Sequence, residues 1–197
     1  MFDGHRTRFD VPRRGLSFER YGHSRRWDNG AKDTLVEYRG LAQGARRQSS
    51  YNNLGCIVHV WVEGGGRYLG ICMGAYWADR DYFGVVDDLN VVQYIKQPTA
   101  ETRRPHAKAM PIEWKGEQHK MFFYDGCTFV GNGKYETIAT YPNGDPMAII
   151  QDRIGLIGCH PESGKFWYDS YSWMKKHWHG KSQHELLLDY VGDLMNK

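Results

Sequence analysis

Long apolar runs are missing from this sequence: no stretch approaches the roughly 18 uninterrupted apolar residues that a membrane helix needs. Residues 1–14 are polar and arginine-rich where a secretory signal would carry an apolar segment. A cytoplasmic protein with no membrane partner is therefore expected. Cysteine is scarce, with Cys56, Cys72, Cys127 and Cys159 forming no C-x-x-C pair. That excludes a disulfide-dense scaffold and makes free thiols in a reducing compartment the expectation. No internal repeat, low-complexity linker or nucleotide-binding P-loop is visible. Charge of one sign is also in short supply: 26 Lys and Arg against 23 Asp and Glu leave a formal net charge of +3. This is too even to make nucleic acid the default partner. The surplus belongs to residues 1–50, with 11 basic and 6 acidic side chains, against 15 and 17 in the rest. A solvated, basic terminus is the plainer reading of that surplus; an arm that touches phosphate is the sharper one.

What is present is core material. Hydrophobic residues make up 41% and aromatics 14% of the chain, enough for one packed domain. We read residues 1–32 as a poorly defined basic segment, with one candidate strand at Leu16–Tyr21, and residues 33–197 as the domain. Thr34–Tyr38 is β-branched and apolar and breaks at Gly40, as a buried strand does. Leu54, Ile57, Val58, Trp61 and Val62 then fall on one face of a 3.6-residue period and predict a helix, stopped by Gly64-Gly65-Gly66. Tyr68–Ile71 follows as a strand, and strand, helix, strand in this order predicts a right-handed parallel unit. Between Val85 and Ile150, Val91–Ile95, His119–Tyr124, Thr137–Tyr141 and Pro146–Ile150 read as antiparallel strands separated by turns. Ile154–Gly158 is a last buried strand. Ser182–Met195 is a closing helix, with Ser182 and Glu185 spaced as a capping box.

Two motifs carry chemistry. Gly70-Ile71-Cys72-Met73-Gly74 is a strand turning abruptly into a helix, with a cysteine at the corner and glycine two residues to either side. This is the spacing of a nucleophile elbow. The corner backbone is strained, the flanking positions are crowded, and the amides of the following helix favour a thiolate. A buried structural cysteine beside two packing glycines would give the same letters. The second motif, Gly158-Cys159-His160-Pro161-Glu162, stands where an apolar strand ends, and in an open α/β sheet ligands gather at the carboxyl ends of the strands. His160 can act as base and acid there, and Glu162 can fix its tautomer. Alone, His-Pro-Glu reads as well as an exposed loop; together with the elbow it reads as catalytic.

These two motifs, with Tyr68-Leu69 before the first and Gly64-Gly65-Gly66 before that, resemble the class I glutamine amidotransferase-like superfamily. Within it, the likeness is to the biotin–protein ligase N-terminal-domain family, over roughly residues 33–195. The resemblance implies an α/β, flavodoxin-like fold: a mostly parallel sheet with helices on both faces and an antiparallel strand insertion. It implies a Cys72, His160, Glu162 triad and an oxyanion hole made by the amides of Met73 and of the loop near Gly40. The chain departs from the superfamily pattern where Tyr38-Arg39-Gly40-Leu41 carries one glycine in place of Pro-Gly-Gly. It departs again at Tyr76, which stands four residues after the nucleophile where glutaminases have Gln. Tyr76 is thus a candidate substrate-pocket residue.

Other candidates read more plainly. His177, His179 and His184 with Glu185 match no metal-ligand spacing and read as a solvated turn, so no metal is expected. Gly131-Asn132-Gly133-Lys134 reads as a hairpin turn, and Cys159 as a packing residue facing away from His160. Phe166-Trp167-Tyr168, Tyr171 and Trp173 could wall a pocket beside His160 or pack against the sheet edge. The expected activity is that of a cysteine amidase or amidotransferase-like enzyme acting on a small-molecule amide or acyl substrate. It would need no cofactor of its own and would supply ammonia to a ligase or synthetase partner in trans. The rival readings are a cysteine peptidase or small-molecule hydrolase on the same fold, and a catalytically silent binding or regulatory module.

Overall fold

The structure, a computed structural model, describes residues 61–197 and the backbone of three strands before them: β1 (Ser17–Tyr21), β2 (Ser24–Asp28) and β3 (Thr34–Arg39). The strands that follow are β4 (Arg67–Ile71), β5 (Leu89–Gln93), β6 (Lys108–Trp114), β7 (Glu117–Phe123) and β8 (Cys127–Gly131). β9 (Glu136–Thr140), β10 (Pro146–Gln151) and β11 (Ile154–Ile157) complete the set. Three α-helices are described: α1 (Met73–Trp77), α2 (Lys165–Asp169) and α3 (Ser182–Met195).

Nine strands form one sheet in the order β1-β2-β3-β4-β11-β10-β9-β6-β7, and β5 pairs with β8 in a second. Only β3 with β4 and β4 with β11 are parallel. The other described pairings in the large sheet are antiparallel. The expectation of a mostly parallel sheet is therefore corrected: the fold is mixed α/β, with antiparallel pairing in the majority. The physical reason lies in the connections. β10 reaches β11 through the two residues 152 and 153, and β6 reaches β7 through Lys115 and Gly116, both at positive φ. Turns that short can join only antiparallel neighbours.

The boundary drawn at residue 33 lies between β2 and β3, which pair from Asp28 with Thr34 to Ser24 with Tyr38. The helix expected from Leu54 to Val62 lies mostly outside the described residues, but residues 61–63 are helical. Gly65, at φ +99°, ends that turn, its N–H donating to the Val62 carbonyl. β6 escaped the sequence reading because Pro111 interrupts it. Yet Met110, Ile112 and Trp114 are buried in strict alternation, and the proline sits where β9 no longer pairs with β6. The Gly131–Lys134 segment is not a hairpin turn, because β8 and β9 belong to different sheets. Gly131 and Gly133 instead let the chain pass against the carbonyls of Asp88 and Asp87.

Helix α3 covers one face of the large sheet. Tyr190 and Leu194 reach the sheet because Gly155 has no side chain: a Cβ there would lie 2.8 Å from Leu194 and 2.9 Å from Tyr190. The capping box is not formed. Lys181 is the N-cap of α3, and the Ser182 hydroxyl donates back to the His179 carbonyl. On the other face, Ala75, Ala78 and Phe83 pack with Tyr68, Ile149, Leu156 and the small sheet. Among the described residues, no helix is long and apolar enough to cross a membrane.

Candidate active site

The site lies at the carboxyl ends of two neighbouring parallel strands, because Ile71 of β4 is in register with Ile157 of β11. One residue past β4, Cys72 turns the chain at φ 51° and ψ −105°, a conformation that non-glycine residues rarely adopt. Its N–H donates to the Ile157 carbonyl at 2.8 Å, and its own carbonyl accepts from Ala75 and Tyr76, opening α1. The glycine before the corner is obligatory: a Cβ on Gly70 would sit 2.6 Å from the Gly74 carbonyl oxygen. Tyr68 Oη donates to that same carbonyl at 2.6 Å and clamps the elbow from the β4 side. Helix α1 has only five residues, so its dipole is a minor source of support for a thiolate.

Past β11, His160 is anchored through its backbone. Its N–H donates to the Phe122 carbonyl at 2.9 Å, making an isolated bridge to β7. Its Nδ1 lies 2.9 Å from Glu162 Oε1, and Cys72 is near enough to act electrostatically on its ring. With Nδ1 engaged by the carboxylate, Nε2 is the nitrogen left for the sulfur. The Cys72 sulfur also lies 3.6 Å from the Tyr124 carbonyl. Burial alone would lower the His160 imidazolium; the neighbouring Cys72 sulfur and the hydrogen-bonded Glu162 carboxylate reverse this and raise it to about 10. The structure thus places Cys72 and His160 past the ends of two paired strands, with Glu162 on the imidazole.

The Met73 amide, in the first turn of α1, has no backbone acceptor among the described residues, as first-turn amides do not. Gly40 lies outside the described residues. β3 ends at Arg39, in register with Ile71 one residue before Cys72. Tyr76 is half-buried, and its hydroxyl donates to the carbonyls of Asp125 and Gly126, both at 3.3 Å. Burial pushes its phenol well above the ordinary value, with Cys127, Cys72 and Asp125 adding to the effect. Its one donor therefore holds the β7–β8 turn in place.

The other described cysteines differ from Cys72. Cys127 and Cys159 are buried in the core, and burial pushes both thiols up. Cys159 faces Tyr141 and not the site, as the strand alternation predicts. Cys56 lies outside the described residues.

Sequence reasoning missed the residues that hold His160 from behind. Ser163 Oγ donates to the His160 carbonyl at 2.7 Å, Gln183 Nε2 donates to the Ser163 carbonyl at 2.6 Å, and Tyr168 Oη donates to Gln183 Oε1 at 2.9 Å. Gln183 is buried at the start of α3; a polar residue on a core face is the only trace this leaves in the sequence. The aromatic run packs against His160 and the sheet edge. Trp167 lies 5.0 Å from the His160 ring and 5.2 Å from Phe122 on the edge strand β7. His177, His179 and His184 form no metal-binding group with other residues among those described.

No protein-family model matches the chain, and no curated protein matches it. Among solved structures it is similar to a glutamine amidotransferase, with 18% identity and a TM-score of 0.52 over 74% of this chain and 69% of that one. It is also similar to a glutamine amidotransferase from Thermotoga maritima, with 14% identity and a TM-score of 0.60 over 83% and 78%. The chain has the glutamine amidotransferase-like fold. At these identities the likeness is one of architecture, and the chemistry must be argued from the residues at the strand ends.

Proposed function

We propose that this chain is a cysteine-nucleophile amidase of the amidotransferase-like type, acting on a carboxamide through Cys72, His160 and Glu162. One observation carries the reading: a half-buried cysteine held at positive φ follows a strand in register with the strand that leads to His160, whose Nδ1 is fixed by a buried carboxylate. In this reading the Cys72 thiolate attacks the carboxamide carbon, a C–S bond forms, and the carbonyl electron pair moves onto oxygen. The Met73 amide and an amide of the loop after β3, near Gly40, stabilise that oxyanion. When the tetrahedral centre collapses, the C–N bond breaks and His160 gives its Nε2 proton to the departing nitrogen. His160 then takes a proton from water, which cleaves the thioester and releases the acid and the free thiolate. Glu162 orients the imidazole and stabilises its charged form.

Tyr76 favours a substrate other than free glutamine. It fills the position one turn after the nucleophile, and its donor is already engaged by Asp125 and Gly126, so it offers no paired amide contacts. A peptide or small-molecule acyl group is the second reading on this ground. If ammonia is the leaving group, its acceptor is activated by a ligase or synthetase in trans, in line with the resemblance to the biotin–protein ligase N-terminal-domain family. The test is a panel of primary carboxamides, with iodoacetamide as a thiol label. The reading expects ammonia release and label on Cys72 alone; equal labelling of Cys72 and Cys159 in the folded protein would overturn it.

A further inference from the structure

Averaged over the chain, charge is nearly balanced, but the fold does not spread it evenly. Residues 102–112 and 170–184 contain Arg103, Arg104, Lys108, Lys175, Lys176 and Lys181 and not one acidic residue. Two observations place these segments side by side. The exposed Trp173, 55% accessible, donates its indole N–H to the Ala107 carbonyl at 3.0 Å. Ala107 and Met174 also share one buried cluster with Phe122 and Tyr168. Lys120, exposed on β7, completes the group: it acts electrostatically on His177 along with Lys176 and His179, and His177 is pushed down by burial and by these cations. Among the described residues, Arg104, Lys120, Lys175, Lys176 and Lys181 take part in no ion pair.

Unneutralised cations close together repel one another, and a surface keeps them at a cost that an anionic ligand would offset. Trp173 adds a second element. Its N–H is tied to the backbone between His106 and Lys108, so the ring is held in one place with its surface in solvent, and Tyr171 packs 5.3 Å away. A fixed, exposed aromatic ring set among cations suits a ligand that alternates anionic groups with planar ones. An acidic protein surface would use the charges and leave the ring without a stacking partner; a single-stranded nucleic acid uses both. From Tyr171 the aromatic contacts continue through Phe122 to His160, so the surface borders the candidate active site.

We propose that the face formed by residues 103–108, Lys120 and residues 173–181 is a binding surface for single-stranded nucleic acid, with Trp173 as its stacking platform. The test measures fluorescence anisotropy of labelled 12-nucleotide oligo(dT) and oligo(U) with the full chain, across a salt series and with polyglutamate as competitor. The proposal expects binding at 50 mM salt, with log K falling by about 0.7 per phosphate neutralised as log salt rises. Lys175→Glu with Lys176→Glu should weaken binding at least tenfold and flatten the salt slope. Trp173→Ala should weaken it severalfold with the slope unchanged, while Trp173→Phe keeps most of the affinity. Absence of binding at 50 mM salt overturns the proposal. So does binding that is indifferent to Trp173→Ala and equally well competed by polyglutamate, the signature of a general acidic partner. Because the lysines are exposed, unfolding is not expected to intervene, and circular dichroism of each variant checks this.

Discussion

The two halves of the candidate site are held by opposite means. On the Cys72 side most of the support is local: a strained corner, a glycine with no room for a side chain, and a tyrosine clamp all fall between Tyr68 and Tyr76. On the His160 side the near neighbours Glu162 and Ser163 are joined by distant ones. Its backbone leans on Phe122, its ring on Trp167, and its carbonyl on Ser163, which depends in turn on Gln183 in the last helix. The difference teaches that a sharp backbone corner can be set mostly by its own short segment, whereas a buried imidazole is positioned by packing that draws on distant parts of the chain.

Removing one member from each side gives the sharpest contrast. Cys72→Ala is expected to abolish turnover and covalent labelling while leaving the thermal midpoint close to that of the parent, since the corner backbone and its hydrogen bonds remain. His160→Ala is expected to lower kcat on the order of 10^2–10^4-fold, and Glu162→Gln by less, because it orients the base and does not carry the proton. Near-normal kcat for His160→Ala, measured on whichever carboxamide is turned over, would break the comparison at its centre.

Strain on the nucleophile side can be tested through stability. Gly70→Ala forces a Cβ to 2.6 Å from backbone that cannot yield without moving the elbow. A loss of about 1–3 kcal/mol in denaturant unfolding is expected, with slower alkylation of Cys72. Unchanged stability would show that the elbow has slack.

The pH dependence separates the two sides further. The His160 imidazolium is raised from 6.5 to about 10 in the folded state, so it binds its proton more tightly there than in the unfolded chain. Its stabilising contribution is fully present below about pH 6.5 and is lost as pH rises toward 10. The thermal midpoint should therefore fall across that window, and fall less in Cys72→Ala, where the largest contribution raising the imidazolium is gone. A histidine NMR titration of the two proteins reads the same difference directly. The smallest effect is expected from Tyr76→Phe, which removes one donor to the Asp125 and Gly126 carbonyls. About 1 kcal/mol of stability should be lost, with a larger change in KM than in kcat if the β7–β8 turn borders the substrate.

How much was legible follows from the range over which each feature is encoded. The strands at β4, β9, β10 and β11 and the helix α3 stand out because period and composition mark them within a few residues. The strand β6 has its alternation hidden by Pro111, whose tolerance depends on where β9 stops pairing. The capping box failed for a similar reason: the spacing from Ser182 to Glu185 was right, but the chain enters α3 one residue earlier, with the Ser182 hydroxyl turned back to His179.

By itself, the sequence marked the sharp strand-to-helix corner at Cys72, because a steric demand on Gly70 and a positive φ at Cys72 are properties of a few adjacent residues. It also determined that His160 and Glu162 follow a buried strand. Only the tertiary structure decided that this strand lies parallel to β4 and in register with it, which is what brings the imidazole to the sulfur. The same holds for the majority of antiparallel pairs around that parallel centre, for the fixing of His160 by Ser163 and Gln183, and for the gathering of cations around Trp173. Strand partners and surface neighbours are chosen by burial over the whole chain, and no local window of residues contains the competing arrangements against which that choice is made.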